Sequence, residues 1–361
     1  MIPSNYKIPL KSYLIPVLVW IIYFIKQSYT SDWLDIVALI ALVVCTLEAV
    51  HHAEVIAVKV GEPFGELILA LAVTVIEVSM IISMMHAGGK DATTLARDTV
   101  FAAIMIILNG MIGLSLLIGA VKYRIQTFVL QGVSSVTTVL LAISVLTLIL
   151  PNYTSSVAGS FYSTKQLLFV SAASLILYAG FIFVQGFWHK DHFVTKKPIE
   201  TAPVDFLKPN RKTTMISFVL LFVCLSVVIL LAKSLAPALD KMINYFDAPR
   251  ALAGIAIACI ILLPEALSSI KAARRDQLQT SLNLTLGSAL ATICLSIPAV
   301  AIYSIVYDIP LALGLDPKST VLLVLSLLVV ILSFRTGKTT ILQGIVLLVI
   351  FAAYIFMTLF P

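Results

Sequence analysis

The chain is a succession of apolar blocks about 20 residues long, and that length decides most of what it can fold into. A helix rises about 1.5 Å per residue, so each block matches the roughly 30 Å hydrocarbon core of a bilayer. Divided at charged residues and Pro/Gly breaks, the sequence gives eleven blocks, near 13–26, 33–50, 64–85, 99–121, 127–150, 167–187, 214–233, 251–270, 281–306, 319–334 and 339–359. A segment inside lipid must satisfy its own backbone, which leaves helices and closed barrels. Barrel strands alternate apolar and polar residues, and these blocks do not. The expected fold class is all-α: a polytopic membrane protein of about eleven transmembrane helices.

Composition agrees. Of 361 residues, 60% are hydrophobic and 12% charged, against about 25% charged in an ordinary soluble domain. A soluble core of this size has no room for so much apolar surface. The net charge of +6 would raise the question of nucleic acid in a soluble chain. Here the basic residues sit in short loops between blocks, so they bear on membrane orientation, and no nucleic-acid partner is expected. Cys45, Cys224, Cys259 and Cys294 lie inside apolar blocks without metal-ligand spacing, and are expected to be small buried residues. The N-terminus lacks a small-residue cleavage site, so the first block is expected to remain a helix.

With the N-terminus cytoplasmic, 16 of the 24 basic residues fall on the cytoplasmic side, among them Lys122, Arg124, Lys271, Arg274, Arg275, Arg335 and Lys338. That bias favours a cytoplasmic N-terminus and an external C-terminus. The longest polar stretch, 188–213, carries three prolines and six basic residues and reads as a cytoplasmic linker; its two histidines read as solvated. The expected organisation is an extra N-terminal helix (1–30), a first repeat (31–187), the linker (188–213) and a second repeat (214–361).

Two acidic residues stand inside apolar blocks. Glu77 lies in LILALAVTVIEVSMIISMM, and Glu265 in ALAGIAIACIILLPEALSSI, 188 residues on (265 − 77). An intramembrane carboxylate is costly and marks an ion or proton pathway. The two blocks are five apart, and an odd offset makes their units insert in opposite orientations. Inverted repeats of this kind place a transport site at the midplane. Asn109 follows the first Glu; Ser281, Asn283 and Ser288 follow the second. Carboxylates, side-chain oxygens and carbonyls freed near Pro264 suit a hard cation such as calcium. A buried carboxylate also binds protons, so metal and proton compete for one site, which is the basis of antiport.

Other polar groups are weaker candidates. Glu66 lies eleven residues before Glu77, on the same helix face about 16 Å away, and reads equally as a cytoplasmic mouth residue or a solvated first-turn acid. Glu48, His51, His52 and Glu54 cluster near the cytoplasmic end of the second block. Histidine titrates near neutral pH, so pH sensing or proton relay is one reading and a plain interfacial cluster the other. Gln131, Ser134, Ser135 and Gln343 are further candidates for a polar path.

The stretches HHAEVIAVKVGEPFGELILALAVTVIEV and LLPEALSSIKAARRDQLQTSLNLTLGSALATICLSIPA resemble the two repeat motifs of ChaA-type antiporters, in the cation/proton exchanger branch of the calcium:cation antiporter superfamily. The resemblance implies a calcium/proton antiporter, with sodium or potassium as further cations, in a bacterial inner membrane. It carries the family's glutamates onto Glu77 and Glu265, its Asn onto Asn109, and its Gly-Ser onto Gly287 and Ser288. The first motif departs from the family: Val73, Thr74, Val75 and Ile76 precede Glu77, and Ile104 and Met105 stand where Gly-Ser is expected. The first half-site is thus poorer in oxygen, which leaves room for monovalent cations.

The partners expected are inorganic cations, protons and the bilayer, with no cofactor. A sodium/calcium exchanger shares the architecture but wants more oxygens around Glu77. A cation channel has no need of two matched titratable carboxylates. An intramembrane enzyme needs a nucleophile–base or metal pair at depth, and the blocks hold none.

Overall fold

The computed structural model describes residues 8–29, 31–61, 64–88, 93–188, 209–245, 249 and 251–360. These residues form eleven helical rods: α1 (Lys11–Ser28), α2 (Asp32–Val60), α3 (Phe64–Gly88), α4 (Leu95–Tyr123), α5 (Leu130–Tyr153), α6 (Thr164–Trp188), α7 (Arg211–Tyr245), α8 (Ala251–Ala273), α9 (Leu278–Tyr307), α10 (Pro317–Phe334) and α11 (Ile341–Leu359). Among the described residues, nine of them are long and apolar enough to cross a membrane. The other two are α1, with a lysine near each end, and α3, whose described apolar stretch is Leu71–His86. Most of the linker expected at 188–213, with both its histidines, lies outside the described residues.

Local chemistry sets the rod ends. Ser163 and Gln166 close a capping box at the start of α6, and Thr340 and Gln343 do the same at α11. Asp316 caps α10 ahead of Pro317, whose fixed φ suits the first helical turn. Gln343 thus serves as a cap, and Gln131, Ser134 and Ser135 lie exposed on α5. Helix α2 runs well past its apolar block and stops at Gly61, whose φ of 81° suits glycine.

The rods gather into two compact units, and each unit takes rods from both halves of the chain. The first holds α1, α2, α3 and α7. Within it α2 packs along α7 and α1. Cys45 Sγ meets the Cys224 carbonyl at 3.9 Å, and Lys26 of α1 pairs with Asp35 of α2.

The second unit holds α4–α6 and α8–α11. Here α4 packs against α8 and α11, and α9 against α8 and α5. A Cβ on Gly344 of α11 would come 2.7 Å from the Leu117 backbone nitrogen, so only glycine permits that crossing. Cys45, Cys224 and Cys294 are buried as expected, but Cys259 is exposed on the flank of α8. An apolar environment in a membrane does not require a buried face, because lipid covers the outside.

Two features of this unit repeat between the halves. The α4–α5 connection pairs with the α10–α11 connection as a short antiparallel ladder, Gln126↔Thr339 and Thr127↔Lys338. The α9–α10 connection pairs with the α5–α6 connection at Ala312↔Phe161. If rods 2–6 correspond to rods 7–11, these are the same contact with the halves exchanged. Likewise α4 contains a π-helical turn at Ile106–Met111 and α9 one at Thr292–Ser296, starting 186 residues on (292 − 106), whereas the π turns at Val145–Ile149 of α5 and Val184–Trp188 of α6 have no counterpart in α10 or α11 among the described residues.

Candidate functional site

Glu77 is 2% exposed in α3 and Glu265 9% exposed in α8. Both therefore sit within helices, away from water, as the apolar flanks predicted. Thr74, one turn before Glu77, is the buried polar neighbour on its own helix. Pro264 lies inside α8 and cannot donate to the Ile260 carbonyl one turn back. Glu66 lies in α3, but its side chain falls outside the described residues.

Around α8 the second unit supplies hydroxyls and amides. Ser269 stands one turn beyond Glu265. Its Oγ lies 2.8 Å from Ser115 Oγ of α4 and 2.9 Å from Ser281 Oγ of α9, and all three serines are fully buried. Three spans thus meet in a continuous chain of hydroxyls. Each hydroxyl can donate and accept, so the chain can pass a proton or solvate a dehydrated cation.

Asn109 lies in the π turn of α4, which packs against α8 and α9. Its Nδ2 donates to Ser326 Oγ of α10 at 2.8 Å and approaches Met105 Sδ at 3.7 Å. Its Oδ1 is buried and has no hydrogen-bond partner among the described residues. Ser296 Oγ, in the matching π turn of α9, is also buried without one. Pro298 adds to this by leaving the Cys294 carbonyl without its helical donor. A buried oxygen that lacks a donor costs free energy unless something occupies the site, and π turns concentrate at functional positions.

On α9, Asn283 and Gly287 are half-buried one turn apart on one face, and Ser288, next to Gly287 in sequence, is half-buried on the adjoining face. Among the described residues nothing lies within 4 Å of where a Gly287 Cβ would stand, so that face borders open space. Asn283 Oδ1 accepts from Gln279 Nε2 at 2.8 Å. The expected residues Asn109, Asn283, Gly287 and Ser288 thus belong to the same unit as Glu265. Ser115, Ser269, Ser296 and Ser326 were missed; their only sequence signal is a hydroxyl inside an apolar block.

The Glu48 cluster differs from its expected place. Because α2 continues to Val60, Glu48 and His52 are buried in its body, 7% and 0% exposed, while Glu54 is exposed and His51 half-buried. His52 Nε2 lies 3.7 Å from Glu48 Oε1, and the Ser12 backbone of α1 lies against the ring. The cluster splits into a buried Glu–His pair and two outlying members. The sequence shows where apolar residues stop, not where a neighbouring helix covers polar ones.

At the opposite end of the second unit from the Gln126–Thr339 ladder, Arg97 holds Asp98 and donates from Nη1 to the Gly314 carbonyl at 2.9 Å. In the α5–α6 connection, Tyr162 donates to the Leu146 carbonyl at 2.5 Å, and burial pushes its phenol up to about 12. It stays neutral at any working pH. Among the described residues, no cluster of three His, Cys, Asp or Glu side chains is placed to hold a resident metal.

Eleven helical rods, paired π turns and buried intramembrane carboxylates define a polytopic membrane protein of the ion-carrying kind. The chain belongs to the sodium/calcium exchanger protein family, whose match covers residues 31–187 and 216–360. It is 38% identical to the putative ionic transporter y4hA of Sinorhizobium fredii, over 98% of this chain and 97% of that one. It is 34% identical to the sodium-potassium/proton antiporter ChaA of Escherichia coli, over 97% and 96%. Among solved structures, native YfkE superposes with a TM-score of 0.73 at 18% identity, covering 97% of this chain and all of that one. The H+/Ca2+ exchanger CAX superposes at 0.72 and 14% identity, covering 96% and 89%. At those identities the structures establish a shared fold.

Proposed function

We propose that the chain is a secondary antiporter that exchanges a cytoplasmic cation for external protons by alternating access. Its cations are Ca2+ and, because the Glu77 half is poor in oxygens, Na+ or K+. The observation that carries this reading is the pair of buried carboxylates, Glu77 and Glu265, at matched positions of α3 and α8 in a chain of the exchanger family. The relatives support both ion classes: one is named a sodium-potassium/proton antiporter, and a solved form of YfkE is described as a Ca2+/H+ antiporter.

In this reading Glu77 and Glu265 bind the cation, and Asn109 Oδ1, Ser288 and the freed carbonyls complete its oxygen shell. Asn283 and Gly287 border its path. The cation lowers the carboxylates' affinity for protons, and external protons then displace it. The inverted repeats, 31–187 and 214–361, supply the two half-sites, and the matched π turns and loop pairings support that division. The N-terminus is cytoplasmic and the C-terminus external, in a bacterial inner membrane, with Glu66 at the cytoplasmic mouth. Buried Glu48 and His52 set the pH response, with His51 and Glu54 beside them. Transport needs the ions and no cofactor.

The test is proton movement in proteoliposomes with a preset pH gradient followed by a dye. Addition of Ca2+, Na+ or K+ is expected to collapse the gradient, and the ion that does so at the lowest concentration is the substrate. A gradient indifferent to all three rejects antiport.

A further inference from the structure

A trough of about 490 Å3 opens between the ends of α4 and α8, lined by Leu117, Ile118, Val121, Lys122 and Arg274. Its walls are apolar and its rim carries two cations. Val121 is 69% exposed, and Lys122 and Arg274 are exposed beside it. The two cations are held together by the backbone: Lys122 Nζ and Tyr123 Oη both donate to the Arg274 carbonyl, at 3.2 and 3.1 Å. Lys122 also lies 4.9 Å over the Tyr123 ring.

Among the described residues no carboxylate is within ion-pair distance of either cation. The neighbouring acid, Asp276, accepts from Gln126 Nε2 at 3.1 Å. Arg124, Lys271 and Arg275 stand at the same helix ends, so among the described residues cations outnumber the one neighbouring acid. The trough also sits where α4 and α8 finish, the level at which a spanning helix passes from acyl chains to headgroups.

We infer that this trough binds an anionic phospholipid, its phosphate on Lys122 and Arg274 and an acyl chain along Leu117, Ile118 and Val121. An acyl chain alone leaves the cations unused. A soluble anion leaves the apolar wall wet. A zwitterionic lipid brings a quaternary amine against a positive rim. Basic pockets between transmembrane helices on the cytoplasmic side take acidic headgroups for these reasons. The inference rests on the reading of α4 and α8 as spans whose positive ends are cytoplasmic.

The test is native mass spectrometry of the purified protein in detergent, titrated with phosphatidylglycerol or phosphatidylcholine. Wild type is expected to hold phosphatidylglycerol the more tightly. Each of Lys122→Gln and Arg274→Gln should weaken it about fivefold, the effect of one surface cation on an acidic lipid. Val121→Trp fills the trough without changing charge and should weaken it as well. Arg335→Gln and Lys338→Gln, at the same end but outside the trough, should leave binding within about twofold of wild type. Equal affinity for the two lipids, or equal losses in all the charge variants, overturns the proposal. Melting curves of each variant exclude misfolding as the cause. No transport is read, so a failure here leaves the antiport reading standing, and a failure of antiport leaves this binding intact.

Discussion

Asn109 Nδ2 donates to Ser326 Oγ at 2.8 Å, and Ser326 in turn donates to the Leu322 carbonyl at 2.7 Å. The serine's single proton goes to that carbonyl, the stronger acceptor, rather than to Met105 Sδ at 3.5 Å, so toward Asn109 its oxygen accepts. The amide must present its nitrogen to Ser326 and its oxygen to the interior. Substituting Ser326→Ala removes this control and strands a buried N–H, at a cost of about 1–3 kcal/mol. The expected result is a rise in the cation concentration for half-maximal exchange of about fivefold or more, with the maximal rate retained. Concentration series in proteoliposomes read the split.

Ser296 carries the same logic to the other half. Its orphan hydroxyl lies in the π turn matching that of Asn109. Ser296→Ala should weaken cation binding about three- to tenfold while leaving the melting temperature unchanged or raised, because a buried unsatisfied oxygen has been removed. A loss of stability with unchanged affinity would make Ser296 structural.

Two glycines should respond in opposite ways. Gly344→Ala places a methyl against the Leu117 backbone and should destabilise by about 1–3 kcal/mol. Gly287→Ala meets nothing within 4 Å and sits inside a helix. It should be neutral or stabilising by up to about 1 kcal/mol, yet slow exchange by narrowing the open flank of α9. Thermal unfolding in detergent and flux assays on the same samples compare the two effects.

Each apolar block falls on a helix, and among the described residues nine of the helices are long and apolar enough to cross a membrane; the block at 251–270, for example, becomes Ala251–Ala273. Hydropathy works so well here because lipid forbids every other backbone solution. The charge count put Lys122, Arg124, Arg274 and Lys338 on one side of the membrane, and the structure brings their segments together at one end of the second unit. The Ser115–Ser269–Ser281 chain was not legible, because it depends on register between helices up to 154 residues apart. The burial of the Glu48–His52 pair was not legible because it depends on α1 folding back along α2 and on α7, distant in sequence, packing there as well.

That pair yields a pH prediction. Imidazole is the side chain whose charge changes near neutrality. His52→Gln is expected to flatten the dependence of exchange rate on pH between about 5 and 8. His51→Gln, on the half-buried face, should leave it intact. Initial rates across that range, at saturating cation, are the measurement.

The hydroxyl chain can be separated from simple helix packing. Single interhelical hydrogen bonds in membranes are worth about 0.6 kcal/mol, so Ser269→Ala should shift stability little. If the chain serves ions or protons, the same change slows exchange about tenfold and Ser269→Thr restores it. Equal rates in all three proteins would reduce the chain to a packing contact.

The central claim is that Glu77 and Glu265 bind cation and proton in turn. The most direct measurement is dye-reported proton flux in proteoliposomes for wild type, Glu77→Gln and Glu265→Gln, with circular dichroism confirming that all three are folded. The account predicts that a cation collapses the pH gradient in wild type and that neither variant responds. A variant that exchanges at the wild-type rate contradicts it, and the ion site then lies elsewhere in the fold.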